Sequence, residues 1–234
     1  MSWSTFLLFQ DPVTEPLAEV TGTGQQNLVD ILISGGPIGV VIVGLQLLMS
    51  IVGLYILIER YLTINRAAKI DVTFMNNIRN SVQTGNIEGA KMLCRNNDHP
   101  VARMVKKGLM RIGKPLDDIS SAIDNVGNLE IFKLEKNLST LASIAGAAPM
   151  LGFLGTVTGM IIAFYQMASH QNVTPELLAG GIYQALLTTA FGLAVGILAF
   201  IGYNFLVTKV DKVVNNMERT TMDFMDLLQE PVRH

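Results

Sequence analysis

Hydroxyl and amide side chains stand inside apolar stretches of this chain, and they are the residues best placed to do chemistry. Thr156 lies in Ala148-Pro-Met-Leu-Gly-Phe-Leu-Gly-Thr-Val-Thr-Gly-Met160. Gln184, Thr188 and Thr189 lie in Gly181-Ile-Tyr-Gln-Ala-Leu-Leu-Thr-Thr-Ala-Phe-Gly-Leu193. A hydroxyl donates and accepts hydrogen bonds, and so does an amide, but neither gives up or takes a proton near neutral pH. Such groups can hydrogen-bond water or another polar group, and in hydrocarbon they face a bundle interior or a water-accessible lumen. Gln184 falls one helical turn before Thr188, so the two share a face.

Other chemistry finds little footing. His99 and His170 are isolated, no metal-ligand spacing joins them to Cys94, and no phosphate-binding or nucleophile motif occurs. The residues therefore predict no catalytic activity, no metal and no cofactor. The single cysteine, Cys94, excludes an intramolecular disulfide and reads as a reduced, partly buried thiol. Half of the residues are hydrophobic and only 15% are charged, against about 25% in an average soluble domain. The formal net charge is −2, so no basic surface for nucleic acid is indicated.

The polar residues need elements to hold them, and the charge pattern says what kind. No Lys or Arg precedes Arg60, and none occurs between Lys136 and Lys209. The same stretches are the apolar ones. Ile31–Ile58 runs for about 28 residues without Asp, Glu, Lys or Arg; the corresponding runs 137–175 and 177–208 have about 39 and about 32, where a span needs about 20. Three transmembrane helices follow. Basic loops stay in the cytoplasm, which puts the N-terminus outside and the C-terminus inside. The expected division is an extracytoplasmic segment 1–34, a first span 35–58, a cytoplasmic helical segment 59–136, a second span 137–167, a short external loop 168–179, a third span 180–207 and a cytoplasmic helix 208–234. The fold class is all-α and polytopic, in a lipid bilayer.

Small residues suggest how the spans meet. Gly152, Thr156, Gly159 and Ala163 repeat at four, three and four; Ala185, Thr188 or Thr189, Gly192, Gly196 and Ala199 make a second stripe. In lipid, small residues let backbones approach and helices pack. Two readings stay open: stripes that only join the second span to the third, or hydroxyl-bearing faces that line a lumen when copies assemble, since polar groups in hydrocarbon face a bundle interior or water.

Outside the spans the pattern is helical. Asp71 is placed to cap 72–82, with Gly85 past its end, and Asn86 to cap 87–95. His99-Pro100 opens 101–112, with Gly113 as the stop, and Lys114-Pro115 opens a further helix. From Leu116 no Pro or Gly pair intervenes before Pro149, and Ile119, Ile123, Val126, Leu129, Phe132, Leu138 and Leu141 recur near helical spacing. One continuous helix from there through the second span is expected. The tail 209–228, with Val210, Val213, Val214, Met217, Met222 and Met225, is expected to prolong the third span. Trp3 and Phe6–Phe9 suit an external interfacial helix better than a signal peptide.

The two membrane motifs carry a resemblance. Ala148–Met160 resembles the A-P-L-L-G-L-L-G-T-V-x-G-M signature of the MotA/TolQ/ExbB proton-channel family, and Gly181–Leu193 resembles its G-I-x-E-A-L-x-x-T-A-x-G-L. Gly85–Cys94 is more weakly similar to a cytoplasmic segment of that family. Three spans with an external N-terminus resemble the ExbB and TolQ branches rather than MotA, ExbB above all. The resemblance implies a homo-oligomeric ring, a pentamer in ExbB, around single-span ExbD/TolR-like subunits that carry a membrane Asp. Protons are the coupling ion, and a TonB-like periplasm-spanning protein receives the work; the site is the bacterial inner membrane. It gives Thr156 and Thr189 lumen-lining roles, with Thr188 and Gln184 beside them, and makes Pro149, Gly152, Gly155, Gly159, Ala185, Gly192 and Gly196 packing residues. The chain departs from the pattern at Gln184, where the family has Glu. The proton carrier must then come from another chain. A TolQ-like or gliding-type motor, and a scaffold or channel without energy coupling, are the alternatives.

Overall fold

A computed structural model describes residues 36–68, 72–169 and 175–229, and these are helical throughout apart from short turns. We number the helices α1 (Gly36–Ala67), α2 (Val72–Gln83), α3 (Ile87–Asn96), α4 (Pro100–Leu109), α5 (Leu116–Glu135), α6 (Leu138–Ser169) and α7 (Pro175–Gln229). The expected external segment 1–34, the Asp71 cap and residues 170–174 of the expected external loop lie outside the described residues.

Three helices are long and apolar enough to cross a membrane, and they contain α1, α6 and α7. The most extensive packing is between α6 and α7, which run antiparallel, and α1 lies against both. Their outward faces carry exposed Val41, Leu48, Ile51, Phe153, Ile161, Leu198 and Phe200. A helix that is apolar all round needs lipid or further protein to cover it. Helix α1 itself runs on past Glu59-Arg60, beyond the apolar stretch, to Ala67.

The four shorter helices follow local signals. Gly85 takes φ +75°, and the Asn86 amide bonds back to the Ser81 carbonyl, which closes α2 in the manner of a glycine stop. The Asn86 side chain accepts from the Gly89 amide at 2.9 Å and opens α3. Pro100 occupies the first turn of α4, and His99 Nδ1 accepts from the Val101 amide. Helix α4 ends at Leu109, short of the expected Ile112, because a turn over 110–113 leads to Gly113 at φ +95°.

One expectation fails. The helix from Leu116 is not continuous with the second span, because it ends at Glu135 and a new helix begins at Leu138. Lys136 is extended and Asn137 adopts φ +62°. Asn tolerates the left-handed region better than most non-glycine residues, so a break needs neither Pro nor paired Gly. Arg60 Nη1 donates to the Lys133 carbonyl at 2.9 Å and satisfies a final-turn acceptor of α5. The expected apolar stripe also shifts. Leu129 and Phe132 are 60% and 73% exposed, while Ala122, Gly127, Glu130 and Leu134 turn inward.

Helix α7 extends unbroken as expected, and Val210, Val213, Met217, Phe224 and Leu227 in its second half are buried in the core that α2–α5 complete. Gly108 of α4 explains one close approach, since a Cβ there would meet Phe224 at 2.5 Å and Ile123 at 2.9 Å. Buried Glu130 receives Arg103 Nη2 at 2.6 Å and Lys133 Nζ at 2.7 Å. Burial alone raises its pKa, but these two hydrogen bonds and charges outweigh it and hold the carboxyl below its usual range. Cys94 is buried, which pushes its pKa up to about 11 against a smaller opposing pull from Lys106, so it is an inert thiol.

A polar seam among three apolar helices

Close backbone approach builds the seam. A Cβ on Gly192 would fall 2.6 Å from the Ala148 carbonyl oxygen, and one on Gly196 would fall 2.5 Å from the Pro149 ring. At Gly152 it would meet the Thr189 Cα at 3.0 Å, at Gly155 the Thr188 hydroxyl at 2.5 Å, and at Gly159 the Ala185 methyl at 2.9 Å. Pro149, Gly152, Gly155, Gly159, Ala185, Gly192 and Gly196, expected as packing residues, therefore all lie where α6 and α7 touch.

The hydroxyls divide into two groups. Thr189 Oγ1 reaches across the seam and donates to the Gly152 carbonyl at 2.7 Å. Thr156 sits one turn further along α6, donates to its own helix at Phe153 O (2.7 Å), and opens onto an exposed apolar depression with Val157, Met160, Ile161 and Phe164. Thr188 is buried and donates to the Ala185 carbonyl at 2.7 Å; Thr158 donates to Leu154 O at 2.8 Å. Thr158, Thr188 and Gln184 line a small cavity of about 20 Å³ between α1, α6 and α7, closed by Gly39 and Gly155. One water needs roughly 10–15 Å³. Gln184 is buried, and a Cβ on Gly39 would lie 3.3 Å from its amide nitrogen, so α1 covers this face. The structure thus groups Gln184 with Thr188 and Thr158 in one cavity, holds Thr189 in a bond across the seam, and places Thr156 at a separate apolar depression.

Gln46 was not singled out from the sequence, although it is the same kind of signal as Gln184: an amide within an apolar run. It is fully buried on α1 and donates Nε2 to the Thr188 carbonyl at 3.1 Å, which ties the first helix to the seam. Its Oε1 has no partner among the described residues. Gly192 makes the room, because a Cβ there would come within 2.7 Å of the Gln46 amide nitrogen.

No Asp, Glu, Lys, Arg or His stands in Gly36–Ile58, Leu138–Ser169 or Ala179–Thr208. Charge begins together at one end. Buried Arg60 pairs with Glu59 at 2.5 Å, and Lys209 Nζ lies 4.2 Å from the centre of the Tyr61 ring, which stacks with Phe205. This layer of basic and aromatic residues has the composition of a membrane–water boundary. Among the described residues no group of His, Cys, Asp or Glu could hold a metal ion.

Three membrane-crossing helices, a close-packed antiparallel pair bearing hydroxyls, and a helical bundle beyond one charged boundary define a multi-pass inner-membrane protein. Residues 96–219 match the MotA/TolQ/ExbB proton channel family, and the chain belongs to it. It is similar to a biopolymer transport protein ExbB homolog of Methanothermobacter thermautotrophicus, 32% identical over 120 residues that make up 51% of this chain and 42% of that one. It is 27% identical to the Tol-Pal system protein TolQ of Haemophilus influenzae, over 88% of this chain and 95% of that one. To the biopolymer transport protein ExbB of Neisseria meningitidis it is 28% identical, over 77% and 87%.

Proposed function

We propose that several copies of this chain form a ring, the five-membered ring implied for ExbB-type subunits, around single-span partner subunits that bring a membrane carboxylate. Proton movement past that carboxylate would then drive work on a periplasmic protein. One observation carries the reading: the α6–α7 seam presents threonine hydroxyls at membrane depth, and no ionisable carboxylate, amine or imidazole lies anywhere in the described spans. A proton-channel subunit built this way needs its carrier from another chain. Each proton moved supplies about 2.3 kcal/mol per 100 mV of membrane potential. Two of the relatives just described are named for biopolymer transport, which favours an ExbB-like energiser working with ExbD-like and TonB-like partners. A TolQ-like role is supported by the longer alignment to the Tol-Pal protein. The basic boundary at Arg60 and Lys209 favours a cytoplasmic bundle and a periplasmic N-terminus.

The test is co-purification with the product of the neighbouring gene, followed by native mass spectrometry and a gradient-driven uptake assay. Several copies of this chain with fewer copies of a single-span, Asp-bearing subunit support the motor. A stable monomer without that subunit would leave only a scaffold.

A further inference from the structure

We propose that the groove between α5 and α7 is the socket for a neighbouring copy of this chain, filled by the basic turn that follows its α4. The inference rests on the ring reading above and adds the contact that closes the ring outside the membrane. The groove has a volume of about 650 Å³ and a methionine-rich lining, including Met217, Met222 and Met225, with Asp124, Glu218 and Asp226 on its walls. Methionines adapt to an inserted apolar group, and the acids favour a cationic one. The chain around the groove is acidic as well, with Asp117 and Asp118 in the first turn of α5 and Asp223 on α7; Arg219 is the one basic residue between Val214 and Asp226.

The complementary face is on the same chain. Lys107, Arg111 and Lys114 flank Met110 and Ile112, which are 63% and 39% exposed. Their height matches. Gly108 touches Ile123 and Phe224, and the groove lies between 120–131 of α5 and 214–226 of α7. Their directions are opposed. Met104 of α4 contacts Gly127 and contributes to the groove from behind, and α4 buries Val101, Met104, Val105 and Leu109 toward α5 and α7, so its basic face points away from the groove. A cyclic ring joins two different faces of each subunit at one height, head to tail. Groove and turn meet that requirement in shape, sign and level.

The full chain is expressed in membranes with its partner subunit, carrying Met110→Cys and Met222→Cys together, and treated with a short bis-maleimide. Buried Cys94 does not compete. A ladder of cross-linked copies is expected from the double variant and not from either single one. Asp124→Lys with Asp226→Lys should cut the ladder at least tenfold, Lys107→Glu with Arg111→Glu should do the same, and the four changes combined should restore it. An oligomer intact by native mass spectrometry but without the ladder overturns this contact and leaves the ring standing. A monomer in the unsubstituted chain overturns the ring and this contact together.

Discussion

Thr156 and Thr189 differ in what their hydroxyls already do. Thr189 bonds across to Gly152, whereas Thr156 bonds within its own helix beside an open depression. Both oxygens keep acceptor capacity for a carboxylic acid or a water. Thr156→Val and Thr189→Val together are expected to abolish gradient-driven uptake with complex yield retained, and Thr→Ser at both sites to keep it. Full uptake in the double valine variant would reduce both hydroxyls to packing. Thr189→Val should also lower the melting temperature more than Thr156→Val, since an interhelical bond in a membrane contributes about 0.6 kcal/mol. Gln46 gives a second test. Gln46→Leu fills the site, removes an unpaired acceptor and should change stability by no more than about 1 kcal/mol; Gln46→Ala should cost about 2–5 kcal/mol by opening a cavity. Thermal melts of the two variants in one detergent decide it. At this scale the sequence revealed which residues were polar in an apolar setting. It could not say that Gln184 faces α1 while Thr156 does not, because that depends on how a third helix docks.

Helices α6 and α7 were legible because small residues at helical spacing have few uses in lipid other than close packing. Gly192→Leu or Gly196→Leu should separate them, since even a Cβ meets backbone or ring atoms at 2.6 and 2.5 Å; loss of the assembled complex on native gels is the readout. The junction at Lys136–Asn137 was not legible. It depends on a left-handed Asn and on Arg60, distant in sequence, donating to Lys133. Nor does the sequence single out Glu130, which Arg103 and Lys133 hold in the core. The bundle therefore has an acid limit. His99 has its pKa lowered below 6.5, by burial first and by Arg103 less strongly, with the Ala67 backbone opposing. Glu130 is lowered below 4.5. Each depressed group contributes stability that is present above its unfolded-state value and lost as pH falls through the folded one. Melting temperature should decline below about pH 6.5 as His99 protonates, and again below about pH 4.5. His99→Asn, which keeps a cap acceptor without titrating, should remove the upper decline; an unchanged profile would sink the assignment.

For the whole molecule, the three long apolar runs gave the number of spans, and the confinement of Lys and Arg to 60–136 and 209–233 marked the charged segments that flank them. It could not give the bundle's internal arrangement, where α2–α5 gather around the second half of α7 through buried Val210, Val213, Met217 and Phe224. Orientation is testable directly. Cysteines at Thr23 and Asn172 should react with a membrane-impermeant thiol reagent in intact spheroplasts, and a cysteine at exposed Met110 only after lysis. Labelling at 110 before lysis would invert the topology. The two membrane helices that meet at the seam leave it differently. Helix α7 runs 55 residues without a break, roughly 80 Å at 1.5 Å per residue, whereas α6 begins at a two-residue joint that separates it from α5. In mechanical terms one is a shaft and the other a universal coupling. A tilt imposed at Thr189 reaches Phe224 through continuous hydrogen-bonded backbone, while a tilt imposed at Gly152 can be absorbed by torsion at Asn137. Of the two seam helices, only α7 thus gives displacement generated in the membrane a stiff route into the bundle, and each copy in a ring would carry its own.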